Sequence, residues 1–571
     1  MIKKYYQEEL ANLRELALDF GRAHPALAPM LDSKGSDPDV ERLLEGVAFM
    51  SSLVRRRLDE GFPRMVEALM EIMFPALIKP IPAMTLIQFF PAIGFNEATS
   101  VRRGAQLASV PVDGVKVRFA TTTSSEILPA QVVKVKTSQR HGGEGSIELI
   151  IRGSAPVGQW CSPELVIHLA GDYGPAAELR RLLLRKTAGV TVSSGSLNFQ
   201  LGPAAVQSNG LDYRSNSQAA DQFLFGYGLL REYFAMPQKF MFIRVTGLDN
   251  LSSSTEPNLS LVFNLTGLKE SLANLKPELF LLNVVPAINL FRHPANPISV
   301  DHKHDEYRLT AQREEAEKLS IHSVRKITAT RSDGTEYQYA PFDYFSQTDD
   351  RLGSYWLRSE NSIRANQTDR FINLVYRRDQ GQLLKETLSV ELECFNQGVT
   401  DFLRVGDVRE PTDTSPAMAV FSNIIAPVKV TPALEGEEML WRLLSHLHVN
   451  LMPLANIAAL KDILTVYSGT NDIDPLRKIT NARKVAALSE LRVTNEEHFF
   501  RGYPIRGTAL ELVANGQDFA SLGDLCLFSE VLATYFGSFL SLNTFSRLTV
   551  IDNATHEDFR WPARLGSKKI L

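Results

Sequence analysis

The chain has 571 residues, of which 44% are hydrophobic and 22% charged, with 61 Lys and Arg against 65 Asp and Glu. At roughly 150 residues per domain this suggests about four domains with real cores, and it excludes wholesale disorder. A net charge of -4 excludes a global basic field for wrapping nucleic acid.

The first 75 residues read as helical. Tyr6, Leu10, Leu13, Ala17 and Phe20 recur at spacings of four and three, one apolar seam along a helix. Asp37 then offers an N-cap and Pro38 a first helical position. The helix that follows carries Val40, Leu43, Leu44, Val47, Val54 and Leu58, and Pro63 opens a third that ends at Pro75. Such faces pack either on the domain that follows or into a helical bundle with another chain.

From about Met84 the period changes to two. Val115, Val117 and Phe119 share one face of a strand, as do Leu165, Ile167 and Leu169 in ELVIHLAG. A helix over Pro175 to Lys186 interrupts the strands, with Leu179, Leu182 and Leu183 on its apolar side. Strands resume at MFIRVTGL, NLSLVFNL and ELFLLNVV, a hairpin turns at Asp333-Gly334, and ETLSVELECF alternates Leu388, Val390, Leu392 and Cys394. Met439 to Leu447 and Leu454 to Tyr467 read as helices, KVAALSELRV and GTALELVA as strands, and SRLTVID as the last strand. Phe528, Leu532, Phe536, Phe539 and Leu540 give a helix its apolar side.

The fold class expected is thus multidomain α+β, with N-terminal helices, β-rich middle modules and a mixed α/β C-terminal module. The expected divisions are 1–75, 76–310, 311–425 and 426–571.

MIKKYYQEELANL lacks the apolar core of a secretory signal, so the cytosol is the expected compartment. Cys161, Cys394 and Cys526 lie far apart with no CxxC spacing, against a disulfide framework or zinc ribbon. Ala68 to Phe95 is cut by four prolines, and Leu522 to Leu542 contains Asp524 and Glu530, so a buried core helix is expected there and no membrane insertion.

Catalytic signatures are missing. There is no GxxxxGK[ST], HExxH or GxSxG, and in GYG at Gly226 to Gly228 Arg231 stands where a third dinucleotide-binding glycine belongs. Phe223 to Tyr227 reads as an aromatic packing or interface loop. His293, Asp301, His302, His304, Asp305 and Glu306 hold metal-ligand types, but a solvated charged loop is the simpler reading. His446 and His448 point to different faces of a helix and read as packing residues; Arg55, Arg56 and Arg57 read as a solvated helix face. No catalytic residue, metal or cofactor is expected.

Four stretches carry a family resemblance that runs nearly end to end. They are DPDVERLLEGVAFMSSLVRRRLDEGFPRMVEALMEIMFPALIKPIPAMTLIQF (Asp37 to Phe89), NVVPAINLFRHPANPISVDHKHDEYRL (Asn283 to Leu309), WRLLSHLHVNLMPL (Trp441 to Leu454) and FSEVLATYFGSFLSLNTFSRLTV (Phe528 to Val550). Together they resemble the TssF family (also ImpG or VasA) of type VI secretion baseplate subunits, which is similar to the wedge proteins of contractile-phage baseplates. One departure is Val284-Val285 before Pro286, where relatives often have a cysteine.

The resemblance implies a structural role. Two copies embrace one TssG in a wedge, wedges assemble around the VgrG hub, TssE helps start the contractile sheath, and TssK links the wedge to the membrane complex, largely through TssG. The whole is cytoplasmic and docked at the inner membrane. Two candidate partner surfaces follow. One is the seam of Tyr6, Leu10, Leu13, Ala17 and Phe20 with Val40, Leu44, Val47, Val54 and Leu58; the other is the stiffened segment of Pro286, Phe291, Pro294 and Pro297. The rival readings are a β-rich carbohydrate-active enzyme, which needs paired carboxylates in a cleft, and a membrane-associated scaffold.

Overall fold

The computed structural model describes residues 2–23, 38–39, 41–55, 79–91, 94, 96–140, 142–211, 222–268, 272, 275–312, 319–341, 353–362, 367–376, 385–417, 419–434, 456–469, 473–500 and 503–566. Two compact units emerge: Met1–Met73 with Glu435–Leu444, and Phe74–Leu434 with Ser445–Leu571. The helices expected at Pro63 and at Met439 to Leu447, the third family stretch, and His446 and His448 lie outside the described residues.

The first unit contains α1 (Ile2–Ala23) and α2 (residues 41–55). Arg55 donates to Glu9 at 2.5 Å and Arg14 to Glu41 at 2.8 Å. The two ion pairs run in opposite chain order, as in an antiparallel helix pair. Arg55 is therefore an ion-pairing residue, while Arg56 and Arg57 lie outside the described residues.

The second unit is built on sheets. A six-stranded sheet has the order Val408–Pro411, Gln106–Ser109, Arg118–Thr121, Val284–Ile288, Met84–Pro91 and Ala419–Asn423. Its buried face carries Val117, Phe119, Ile87 and Phe89, the alternating positions that the two-residue period predicts. A five-stranded sheet pairs Glu144–Gly153 with Asn258–Leu265, where Ile147, Leu149 and Ile151 face inward with Leu259, Leu261 and Phe263.

An eight-stranded sheet centres on Leu319–Arg331 and Glu386–Asn396 and buries Leu388, Val390, Leu392 and Cys394. Strands from both sides of residue 311 pair in it: Phe291–Pro294 lies on Glu386–Asn396, and Glu306–Leu309 on Gln367–Tyr376. The Asp333-Gly334 turn joins two of its strands, with Gly334 at φ 85°, a conformation that suits a residue without a Cβ.

The C-terminal segment folds as a βαβ unit. Tyr503–Ala514 and Thr544–Asp552 pair in parallel, so they require a crossover, supplied by Leu522–Gly537. Three further helices pack near this crossover: α3 (Tyr173–Arg185), α4 (Gln222–Ala235) and α6 (Pro475–Ala486), the last preceded by α5 (Ile457–Tyr467). The crossover itself is α7, and every residue from Gly523 to Phe536 is buried. Each Leu- or Phe-sized side chain sealed in this way contributes about 1.5–3 kcal/mol. Among the described residues, no helix is long and apolar enough to cross a membrane.

Two local expectations change. Phe223 to Tyr227 is not a loop: it lies in the first turns of α4, where Tyr227 packs against Tyr467, Tyr535 and Phe539 at centroid distances of 5.0, 5.3 and 5.2 Å. Gly226 lets the helix approach, since a Cβ there would meet the Ser538 hydroxyl at 2.2 Å. Likewise, Lys484 to Ala486 belong to α6 rather than to a strand, which starts at Leu488. Asp474 caps α6 by accepting from the Leu476 amide, and Pro475 stands at its first position.

Candidate interaction surfaces

The heptad-like seam of α1 splits in space. Tyr6, Leu10, Leu13 and Ala17 are half-buried, whereas Phe20 is 48% exposed together with Leu16 and Leu18. On α2, Leu44 is half-buried and Ala48 fully buried. Val47 and Val54 are exposed, and Val40 and Leu58 lie outside the described residues. The sequence pattern missed the partners of Val47 and Val54. Leu43, Val47, Met50 and Val54 follow one another at steps of four, three and four, with 69, 50, 70 and 60% of each exposed. That spacing draws one apolar stripe along a helix. Leu43 and Met50 were legible as apolar residues, but only the fold shows which side of the helix faces out.

The segment from Pro286 to Pro297 divides differently. Pro286 sits inside the six-stranded sheet opposite Leu86 and is half-buried. Phe291 is 5% exposed and belongs to the core of the eight-stranded sheet, opposite Cys394. The guanidinium of Arg118, from the six-stranded sheet, stands 5.7 Å from its ring centroid. Pro294 and Pro297 are exposed. Pro294 lies on the edge strand Phe291–Pro294, where a missing N–H leaves no gap in the ladder.

The charged loop after Pro297 closes on itself. Asp301 accepts from the Lys303 amide at 3.1 Å and from the Tyr307 hydroxyl at 3.3 Å, and the His302 amide donates to Tyr307. Among the described residues no cluster of three or more His, Cys, Asp or Glu is placed to hold a metal. Burial pushes the Cys161 thiol up to about 12 and raises that of Cys526 as well, so both stay as unreactive thiols near neutrality.

The densest polar cluster is sealed within the core. Asp524 accepts from Tyr173 at 2.5 Å, from Tyr233 at 2.7 Å and from the Ala520 amide at 3.2 Å, and pairs with Lys484 at 2.8 Å. A turn and a half along α7, Glu530 takes Arg180 of α3 at 2.7 Å. Burial, and then the Asp524 charge, hold the Tyr173 and Tyr233 hydroxyls well above the ordinary tyrosine range. These groups lock α3, α4, α6 and α7 together; Asp524, Tyr233, Lys484, Arg180 and Glu530 are buried and Tyr173 is half-buried.

The family model of the type VI secretion protein TssF matches residues 1–568. The chain belongs to the TssF family. It is 25% identical to type VI secretion system component TssF1 of Pseudomonas aeruginosa, an alignment that covers 100% of this chain and 99% of that protein. A chain in the cryo-electron microscopy structure of the TssK-TssF-TssG baseplate subcomplex superimposes with a TM-score of 0.77 at 23% identity, covering 92% of this chain and 98% of that one. A chain of the type VI secretion baseplate complex gives 0.62 at 20% identity, with 100% of both chains covered. At these identities the superpositions establish a shared fold.

Proposed function

We propose that the chain is a structural wedge subunit of the type VI secretion baseplate, with two copies embracing one TssG. In this reading TssK is reached largely through TssG, TssE and the VgrG hub are further neighbours, and the particle is cytoplasmic and docked at the inner membrane through the membrane complex. The full-length family match supports the role, as do the baseplate assemblies in which the superimposed chains stand. The reading assigns the chain no catalysis.

The observation that carries the partner surface is the exposed stripe of Leu43, Val47, Met50 and Val54. Contiguous exposed apolar area of this kind marks an interaction site. Residues 1–75 are accordingly the segment proposed for a helical bundle shared with TssG. Burial of each such side chain contributes about 1.5–3 kcal/mol before ordering costs are subtracted.

Co-expression with TssG, followed by native mass measurement, tests the core of the proposal. A complex with two copies of this chain per TssG is expected. A well-folded monomer that never co-purifies with TssG removes it.

A further inference from the structure

Between the six-stranded sheet, the eight-stranded sheet and α4 lies a cleft of about 940 Å³. Its walls are basic. Among the described residues, Lys79, Arg103, Arg231, Arg292 and Arg325 line it with two carboxylates, Glu232 and Glu393. The cations come from five separate places in the chain: the approach to the first sheet strand, the loop after Val101, α4, and the strands Phe291–Pro294 and Leu319–Arg331. Its apolar lining is Ile288 and Leu290, both half-buried, backed by the buried Leu229 and Phe291.

His322, on the same wall, is pushed down to about 3 by burial and then by the charges of Lys79, Arg370 and Arg231. Arg231 is 4% exposed, donates to the Lys79 carbonyl at 2.7 Å, and remains a cation at neutral pH, its pKa lowered by burial only to about 10. At the mouth, Arg292 and Arg325 keep 60% and 44% of their side chains exposed, and their carboxylate neighbours Glu391 and Glu393 stand at 4.0 and 3.8 Å. These are loose pairs that a stronger acceptor can replace.

We propose that this cleft receives an acidic segment of a partner polypeptide, seated with one apolar side chain against the half-buried Ile288 and Leu290. The proposal rests on the reading of the chain as an assembly subunit. Two features favour a peptide over a small anion. The volume is at the upper end of the range of about 300–1,000 Å³ that whole drug-sized ligands fill. The apolar lining also has no use in binding an inorganic ion. Arginines that present paired donors are the usual readers of acidic motifs. The two wall carboxylates and the near-neutral chain disfavour a nucleic-acid backbone, which needs an unbroken run of cations.

The test uses the full chain co-expressed with TssG and TssK. A photo-cross-linking amino acid replaces Arg292 or, separately, Arg325, and the captured peptides are sequenced by mass spectrometry. Cross-links into a stretch of another subunit with several Asp or Glu and an apolar residue are expected. In parallel, the double variant Arg292→Glu/Arg325→Glu is expected to weaken assembly at least tenfold in low salt and to flatten its salt dependence. Arg292→Lys/Arg325→Lys retains most of it, and unchanged melting of the isolated chain shows that folding is intact. Cross-links confined to this chain, or into a basic stretch, overturn the proposal. So does a charge-reversed chain that assembles as before, or nucleic acid found cross-linked at these positions. If the unaltered chain never binds TssG, the subunit reading fails and takes this proposal with it; if it binds and the cleft variants change nothing, only this proposal fails.

Discussion

Lys484 of α6 and Asp524 of α7 form an ion pair of 2.8 Å with 3% and 0% of their side chains exposed. Both also meet Tyr233, whose hydroxyl donates to Asp524 at 2.7 Å and accepts from Lys484 at 3.0 Å. Two charges taken out of water cost more than their attraction returns unless further hydrogen bonds complete the site. Here Tyr173 and the Ala520 amide supply them. Removing one partner strands the other. Asp524→Leu or Lys484→Met is expected to lose about 3–5 kcal/mol. The joint change Lys484→Met/Asp524→Leu loses less than the two single losses combined. Thermal unfolding of the four proteins as a double-mutant cycle checks it.

The same cluster makes the fold alkali-sensitive. Tyr233 is fully buried, and burial followed by the Asp524 charge raises its pKa well above 10.0. The folded state therefore holds this proton when the unfolded chain has released it. Stability from this group is complete below pH 10 and falls above it, by about 1.4 kcal/mol per pH unit for each such tyrosine. Tyr233→Phe lowers stability at pH 8 through its lost hydrogen bonds, and makes the decline between pH 10 and 11 shallower. Denaturant midpoints across that range read both effects.

Acid acts through buried histidines, of which His168 is the clearest. His168 is 3% exposed, rests edge-on to Phe242 at 4.7 Å, and burial pushes its pKa down to about 3. The unfolded chain takes up this proton near pH 6.5 and the folded chain does not. Stability is thus lost as pH falls from about 6.5 towards 3, at about 1.4 kcal/mol per pH unit. His168→Leu is expected to make the acid limb of the stability profile shallower over that window, and the slope that His322 contributes in the same way remains. An unchanged limb would mean that the ring accepts a proton while folded.

Much of this architecture was readable from periodicity. Leu165, Ile167 and Leu169 alternate inward because a strand's side chains have a period of two, and burial of 0, 0 and 1% exposure follows. The helix at Leu522 to Gly537 could be told from a membrane span by Asp524 and Glu530, polar groups that need partners. Their partners could not be read. Lys484 is 40 residues from Asp524, Arg180 is 350 from Glu530, and no local pattern encodes such a meeting. For the same reason the basic cleft was invisible: its cations stand singly in the chain and converge only when two sheets and α4 come together. The segment from Lys484 also misled the reading, since Val485, Ala487, Leu491 and Val493 stand at even spacings that imitate a strand across the point where a helix ends.

Two glycines on neighbouring helices have opposite tolerances. A Cβ on Gly523 of α7 would stand 2.1 Å from the Ala177 carbonyl oxygen and 2.4 Å from the Glu178 amide nitrogen, both backbone atoms of α3 that cannot swing aside. Gly523→Ala is expected to cost about 1–3 kcal/mol or more through overpacking. Gly228 of α4 has nothing within 4 Å of such a Cβ. Gly228→Ala is expected to be neutral or to stabilise by up to about 1 kcal/mol, the difference in helix propensity. Melting temperatures of the two variants separate close helix packing from a general intolerance of change.

The first unit offers the sharpest separation of folding from assembly. On α2, Leu44 and Ala48 turn towards cover while Leu43, Val47, Met50 and Val54 are left out. Leu43 and Met50 are 69% and 70% exposed, so a charge there stays in water in the isolated chain, and Leu43→Lys/Met50→Lys is expected to shift its stability by no more than about 0.5 kcal/mol. The same change places two charges in a shared bundle and should abolish co-purification with TssG. Leu44→Ala works the other way. It empties a half-buried site and lowers the stability of the helix pair, yet leaves the outer stripe intact. Helicity of an isolated fragment would not report on this; the full chain is needed, with hydrogen exchange over residues 41–55 for stability and pull-down for assembly. If the lysine pair binds TssG normally while the exchange pattern is unchanged, the stripe is not the partner surface.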